Sequence, residues 1–121
     1  MSQWTEDNNK GYVANVAIGE GLACKLSSGK IVIATAATDK IIGVTMGSYA
    51  AGETASVKLR SSNGTGKAKA GGTIAVGDFI TATTDGSLIA TVTAGNQIVG
   101  MAVEAAASGD EFEYIPAFDR V

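Results

Sequence analysis

No histidine occurs among the 121 residues of this chain, and cysteine, proline and tryptophan occur once each. Without imidazole, the usual activator of a serine or cysteine nucleophile and the commonest metal ligand are both missing. A lone Cys24 leaves no internal disulfide framework and no cysteine-based zinc site. It stands in the apolar run Leu22-Ala23-Cys24, where a buried thiol packs as a small hydrophobe. Positive charge is also short: nine Lys/Arg face twelve Asp/Glu, for a net charge of −3. That balance lacks the basic stripe of a nucleic-acid binder. No opening apolar stretch resembles a signal peptide and no run is long enough for a membrane helix, so synthesis in a reducing cytosol is expected.

Aromatics are scarce, with three Tyr and three Phe besides Trp4, so the core must come from Ile, Val, Leu and Ala. Hydrophobic residues make up 45% and charged residues 17%, the profile of an ordered domain. The sixteen glycines describe a chain that turns often, and they are not scattered. Gly29, Gly43 and Gly52 recur 57 residues on as Gly86, Gly100 and Gly109. Ile31-Val32 falls on Leu88-Ile89, Ile41-Ile42 on Ile98-Val99, and Val57 on Tyr114, and the acid after the last glycine recurs as Glu53 and Asp110. Nearer the start, Val16 to Glu20 match Ile74 to Asp78 at an offset of 58. Glycines and apolar positions repeat while polar residues drift, which marks a duplicated scaffold and not a duplicated catalytic site. The charge drifts too. Residues 1–60 carry six Lys/Arg and five Asp/Glu, net +1; residues 61–121 carry three and seven, net −4.

Each copy reads as strands. Ala23–Leu26 and Lys30–Thr35 flank Ser27-Ser28-Gly29 as a hairpin, and Phe79–Thr83 and Leu88–Thr93 flank Thr84 to Ser87 as its counterpart. Ile41–Met46 and Ile98–Val103 are strands crossed by Gly43 and Gly100, where a mid-strand glycine signals a bulge or a close backbone approach. Each copy closes on a strand, Ala55–Leu59 or Phe112–Ile115, and Val103–Ala107 is the one helix candidate. Residues 1–15 read as an N-terminal arm and 16–121 as a single domain, with half-repeats about 16–60 and 73–117 and a flexible linker 61–72. A 57-residue half buries little alone, so the halves should share a core. The fold class is all-β: a small barrel or sandwich of two tandem, imperfectly duplicated halves with at most one short helix.

Few constellations carry chemistry. Glu111 and Glu113 lie on one face of a strand, alternating with Phe112 and Tyr114, which is a half-solvated strand rather than a carboxylate pair for acid–base work. Gly64-Thr65-Gly66-Lys67 lacks the first glycine and the final Ser/Thr of a phosphate loop and opens no helix. Thr38-Asp39-Lys40 resembles the modified hairpin of lipoyl and biotinyl carrier domains, though Ala37 stands where an acid is needed and Gln97 replaces Lys40 in the second copy.

A longer stretch is more specific. Ala70-Gly71-Gly72-Thr73-Ile74-Ala75-Val76-Gly77-Asp78-Phe79-Ile80, Asp85-Gly86, and Gln97 through Gly100 to Gly109-Asp110 resemble the capsid cement, or head decoration, proteins of tailed bacteriophages. The resemblance is close over residues 70–116 and looser over the first copy. It implies a non-enzymatic, cofactor-free homotrimer made in the host cytoplasm. Such a trimer would sit on the outer surface of the virion head, clamping the major capsid protein, with no nucleic-acid or membrane partner. The candidate capsid or subunit contacts are Trp4 and Tyr12 of the arm, Lys67 and Lys69 of the linker, and the acids Glu111 and Glu113. Two other readings stay open: a glycan- or receptor-binding module of a phage fibre, and a carrier domain modified on Lys40.

Overall fold

The computed structural model describes residues 9–60, 64–93 and 95–120, and every helix-or-strand element among them is a strand. In the first half these are β1 (Asn9–Val13), β2 (Ala23–Ser27), β3 (Lys30–Ile33), β4 (Ile41–Thr45) and β5 (Thr54–Leu59). In the second they are β6 (Gly66–Lys69), β7 (Phe79–Ala82), β8 (Leu88–Ala90), β9 (Gln97–Ala102) and β10 (Glu111–Arg120). Two antiparallel five-stranded sheets result, ordered β1-β5-β4-β2-β3 and β6-β10-β9-β7-β8. Advancing every label by five converts the first order into the second. The duplication read from glycine spacing is thus a duplication of topology. Each sheet curls until its ends touch at a single parallel bridge, Ala14–Ile31 or Ala70–Leu88, without closing into a barrel.

Three sequence expectations need adjusting. The 58-residue match near the start is off by two. Ile18 and Tyr49 exchange backbone hydrogen bonds, as do Ile74 and Ala106, so Ile18 corresponds to Ile74 at 56. A slip of two returns every side chain to its own face, so the apolar pattern could not detect it. The offset becomes 57 at the hairpins. Between β2 and β3 lie two residues, Ser28 and Gly29, both with positive φ (52° and 78°), as the tightest hairpin turn requires. In the matching β7–β8 turn Thr83 N donates to Ser87 O at 2.9 Å, which leaves three enclosed residues, Thr84, Asp85 and left-handed Gly86, one more than in the first half. Second, Gly66–Lys69 inside the expected linker is strand β6, and Asn9–Val13 inside the expected arm is strand β1. Third, Val103–Ala107 forms no helix; Ala106 pairs with Ile74 instead.

The curl depends on Gly43 and Gly100. A Cβ on Gly43 would run into the carbonyl oxygen of Lys58 and lie 2.9 Å from Val57 Cγ1. On Gly100 it would run into the carbonyl oxygen of Ile115 and lie 2.8 Å from Tyr114 Cδ2. In both halves the closing strand therefore crosses the central one where no side chain fits. Gly43 O also accepts the Cys24 thiol at 3.6 Å, and burial pushes that thiol's pKa up to about 12, leaving no thiolate at neutral pH.

The two interiors hold the same kinds of volume in exchanged places. In the first half Tyr12 on β1 stands opposite Ala55 on β5; in the second, Ala68 on β6 stands opposite Phe112 on β10. Tyr49 likewise corresponds to Ala106, and Val57 to Tyr114. Trading a large residue for a small one on facing strands keeps each interior filled. Phe112 and Tyr114 are fully buried and pack with ring centroids 6.4 Å apart. The first interior, built on Ala14, Ile18, Cys24, Ile31, Ala55 and Val57, belongs to one half alone. The second recruits Ala23, Ala34, Ile41 and Val44 from the other face of the first sheet, so the shared core is the larger of two.

Hydrogen bonds tie the halves together: Ala23 N donates to Gly86 O (2.7 Å), Lys69 N to Gly21 O (2.9 Å) and Gln97 N to Ala37 O (2.8 Å). The buried Arg60 guanidinium, 2% exposed, donates to Ile41 O (2.8 Å) and to Gln97 Oε1 (3.1 Å). A cation that always carries its charge is thereby held across the junction.

Gly43→Ala and Gly100→Ala should each lower unfolding free energy by about 3 kcal/mol, since backbone and not a movable side-chain tip blocks the added methyl. Gly72→Ala, whose Cβ would meet only Ile89 Cγ2 at 3.5 Å, should change it by less than about 1 kcal/mol. Urea denaturation of the three variants measures the difference.

Candidate functional site

Four of the six candidate contact residues come together on one sheet edge. Strand β6 pairs with β10 so that Lys67 stands directly opposite Glu113 and Lys69 opposite Glu111. Ala68 and Phe112 between them point inward and are fully buried, which turns all four charged side chains to the outer face. Lys67, Lys69 and Glu111 are exposed and Glu113 is half-buried. Thr65 Oγ1 donates to Glu113 Oε2 at 2.7 Å, and Glu113 N donates to Glu104 Oε1 at 3.1 Å. Tyr12 sits elsewhere, half-buried against the first interior. Trp4 lies outside the described residues.

The matching positions of the first half make the contrast. Gly11 faces Ser56 and Val13 faces Thr54, neutral pairs in the places of Lys67–Glu113 and Lys69–Glu111. Divergence thus put opposite charges side by side on one copy of an edge and none on the other. Opposed pairs of this kind are each worth about 0.2–1 kcal/mol to a sheet, so they contribute little to folding.

Beside this edge a cleft of about 300 Å³ opens between the halves. Glu20, Met46 and Lys58 line it from the first half, and Thr65, Lys67 and Glu111 from the second. Neither Glu20 nor Met46 was singled out in the sequence. Nothing in their local pattern points to a cleft, because it exists only where the halves meet.

The other acids serve the backbone. Glu53, Asp78 and Asp110 each accept a hydrogen bond from the N–H three residues back, of Ala50 (2.6 Å), Ala75 (2.9 Å) and Ala107 (3.2 Å). This explains why an acid follows the glycine in both copies: it closes its own turn. The Ser87 hydroxyl and N–H hold the Asp85 carboxyl below its ordinary range. At Asp39 burial pushes upward, but bonds from Thr35 N (2.9 Å), Lys25 Nζ (3.0 Å) and Ala36 N (3.1 Å) outweigh it and lower the pKa. Asp39 therefore anchors the β3–β4 loop, and neighbouring Lys40 is exposed. Among the described residues no group of three or more His, Cys, Asp or Glu is placed to hold a metal. Stacking on a sugar needs an exposed ring, and Phe79 is the exposed aromatic among those whose side chains are described.

Because the Asp39 pKa is lowered in the folded state, its stabilising effect is present above the unfolded value near 3.9 and fades as pH falls through the lower folded value. Thermal unfolding of Asp39→Asn should accordingly show a flatter acid limb than wild type below about pH 4 and a lower midpoint at pH 7.

A family model described as phage cement protein matches residues 7–116, both halves together. No curated protein sequence matches. Among solved structures, the head fiber gp8.5 N base in bacteriophage phi29 superposes with a TM-score of 0.72 at 21% identity, covering 93% of this chain and 96% of that one. At that identity the likeness is one of fold.

Proposed function

The chain belongs to the phage cement protein family, and from that premise we propose that it is a structural decoration protein of the phage head. It binds the outer capsid surface as a homotrimer and holds neighbouring major capsid subunits together. The family match across both halves carries this reading. The architecture suits it: two rigid curled sheets, joined by backbone bonds and a buried arginine, present an ordered face and require no chemistry. The Lys67–Glu113 and Lys69–Glu111 edge is the capsid-facing candidate, since the matching pairs of the first half, Gly11–Ser56 and Val13–Thr54, are neutral and the fold does not need charge at those positions. Three such edges on a trimer would turn weak single contacts into a tight hold.

Purified protein mixed with undecorated expanded heads should co-sediment with them and raise the temperature at which the heads disrupt. Heads that neither bind the protein nor gain heat resistance would sink the reading. The quadruple variant Lys67→Ser, Lys69→Ser, Glu111→Ser, Glu113→Ser should keep its fold yet bind heads at least about tenfold more weakly, equivalent to about 1.4 kcal/mol. Equal binding by that variant would move the contact to another face.

A further inference from the structure

The two halves pack head to tail, and this leaves one face of each half without its counterpart. In the first sheet, Ala23 and Val44 on the outward row are fully buried because the second half covers them. The corresponding row of the second sheet runs through Phe79, Met101 and Ile115, which stand opposite one another on β7, β9 and β10. Among the described residues nothing covers it: Phe79 is 49% exposed and Ile115 41%, with Val92, which shares a cleft with Phe79, at 91%. Phe79 and Val92 line a cleft of about 380 Å³ with Gly77, Asp78, Ala90 and Thr91.

What fills the matching place in the first half is known in atomic terms. There the β7–β8 turn is seated. Gly86 O accepts the Ala23 N–H, and a Cβ on Gly86 would lie 2.6 Å from Ile33 Cγ2 and 3.3 Å from Leu22 Cβ. Beside it the edge strand β6 donates Lys69 N–H to Gly21 O. Gly21, Leu22, Ala23 and Ile33 correspond to Gly77, Asp78, Phe79 and Ala90, four of the six residues lining the open cleft. The seated elements also have counterparts: the β2–β3 turn around Gly29 and the edge strand β1 at Val13. Gly29 is exposed with open space where its Cβ would be, and Val13 is 38% exposed.

We propose that the open cleft of the second half receives the β2–β3 turn and β1 edge of a second copy of this chain, so that copies join head to tail by repeating the contact between their own halves. Two further observations favour this occupant. The first half is net +1 and the second −4, and the arriving turn carries Lys30 toward a cleft that contains Asp78. The sizes also match. The longer turn of the chain sits over small Ala23, whereas the turn shorter by one residue would sit over large Phe79. A contact between two different patches is heterologous, so it propagates until the rotation closes a ring. A trimer built this way is a ring of six half-repeats. The proposal deepens the homotrimer reading, and it rests on that reading for the number of copies alone.

Full-length chains carrying Gly29→Cys, mixed with chains carrying Asp78→Cys and oxidised in the absence of heads, test it. The Cβ separation copied from Gly86 and Leu22 is close to what a disulfide spans. The expected result is a covalent dimer in the mixture and none from either variant alone, buried Cys24 taking no part. The chain carrying both substitutions should yield one covalent closed oligomer. Ala90→Cys replaces Asp78→Cys should the latter fail to fold. Phe79→Asp should abolish the oligomer in sedimentation while its circular dichroism spectrum stays that of the folded β protein and its unfolding midpoint loses any dependence on protein concentration. A wild-type monomer at every concentration, an oligomer with no mixed cross-link, or Asp78→Cys cross-linking to itself as readily as in the mixture would each overturn the proposal. Intact cross-linking with no binding to heads would overturn the decoration reading alone.

Discussion

Five strands, most of them three to six residues long, have no interior while they lie flat. The interior appears when the sheet bends until its inner face is concave, and the bend here is made where the closing strand crosses the central one. At that crossing a carbonyl oxygen occupies the space a side chain would need, in the first half at Gly43 and in the second at Gly100. Everything else follows from it. The bend brings β1 toward β3 and β6 toward β8, which places Ala14 against Ile31 and Ala70 against Leu88. It also makes each half a small shell that a few residues can fill. A chain this poor in large aromatics could not fill a flat sandwich of the same length as completely.

Given two shells of the same shape, the filling was free to vary as long as its volume did not. Tyr12 and Tyr49 serve one interior, Phe112 and Tyr114 the other, with alanine or valine in each complementary place. The outer faces obeyed no such rule. Their residues diverged to neutral pairs on one edge and alternating charges on the other, and to a covered apolar row on one sheet and an open one on its twin.

This difference in constraint decides what the sequence disclosed. Gly43 and Gly100 announced the close approach because sterics admits one residue there. The hairpins at Gly29 and Gly86 were legible for a related reason, a turn that needs left-handed backbone. Strand β6 was not. Gly66-Lys67-Ala68-Lys69 has no β-branched or aromatic residue, and its strand identity comes from pairing with β10. The charged edge was half legible: Glu111 and Glu113 showed their alternation, but their lysine partners sat in what read as a linker. The cleft between the halves, and the uncovered row at Phe79, could not be seen without knowing how the halves pack.

The exchange of large for small across facing strands also bears on how the chain sorts itself while folding. Strands β1 and β6 are topologically equivalent, and so are β5 and β10; in a crowded particle-assembly site, each first strand meets several closing strands of matching register. Tyr12 against Phe112 would force two rings into space built for one, and Ala68 against Ala55 would leave a void. Mispaired halves are thus penalised in both directions, one by crowding and the other by emptiness. The aromatic–alanine pair acts as a lock-and-key code for strand partners, and it discourages the strand exchange between chains that tandem duplication would otherwise invite.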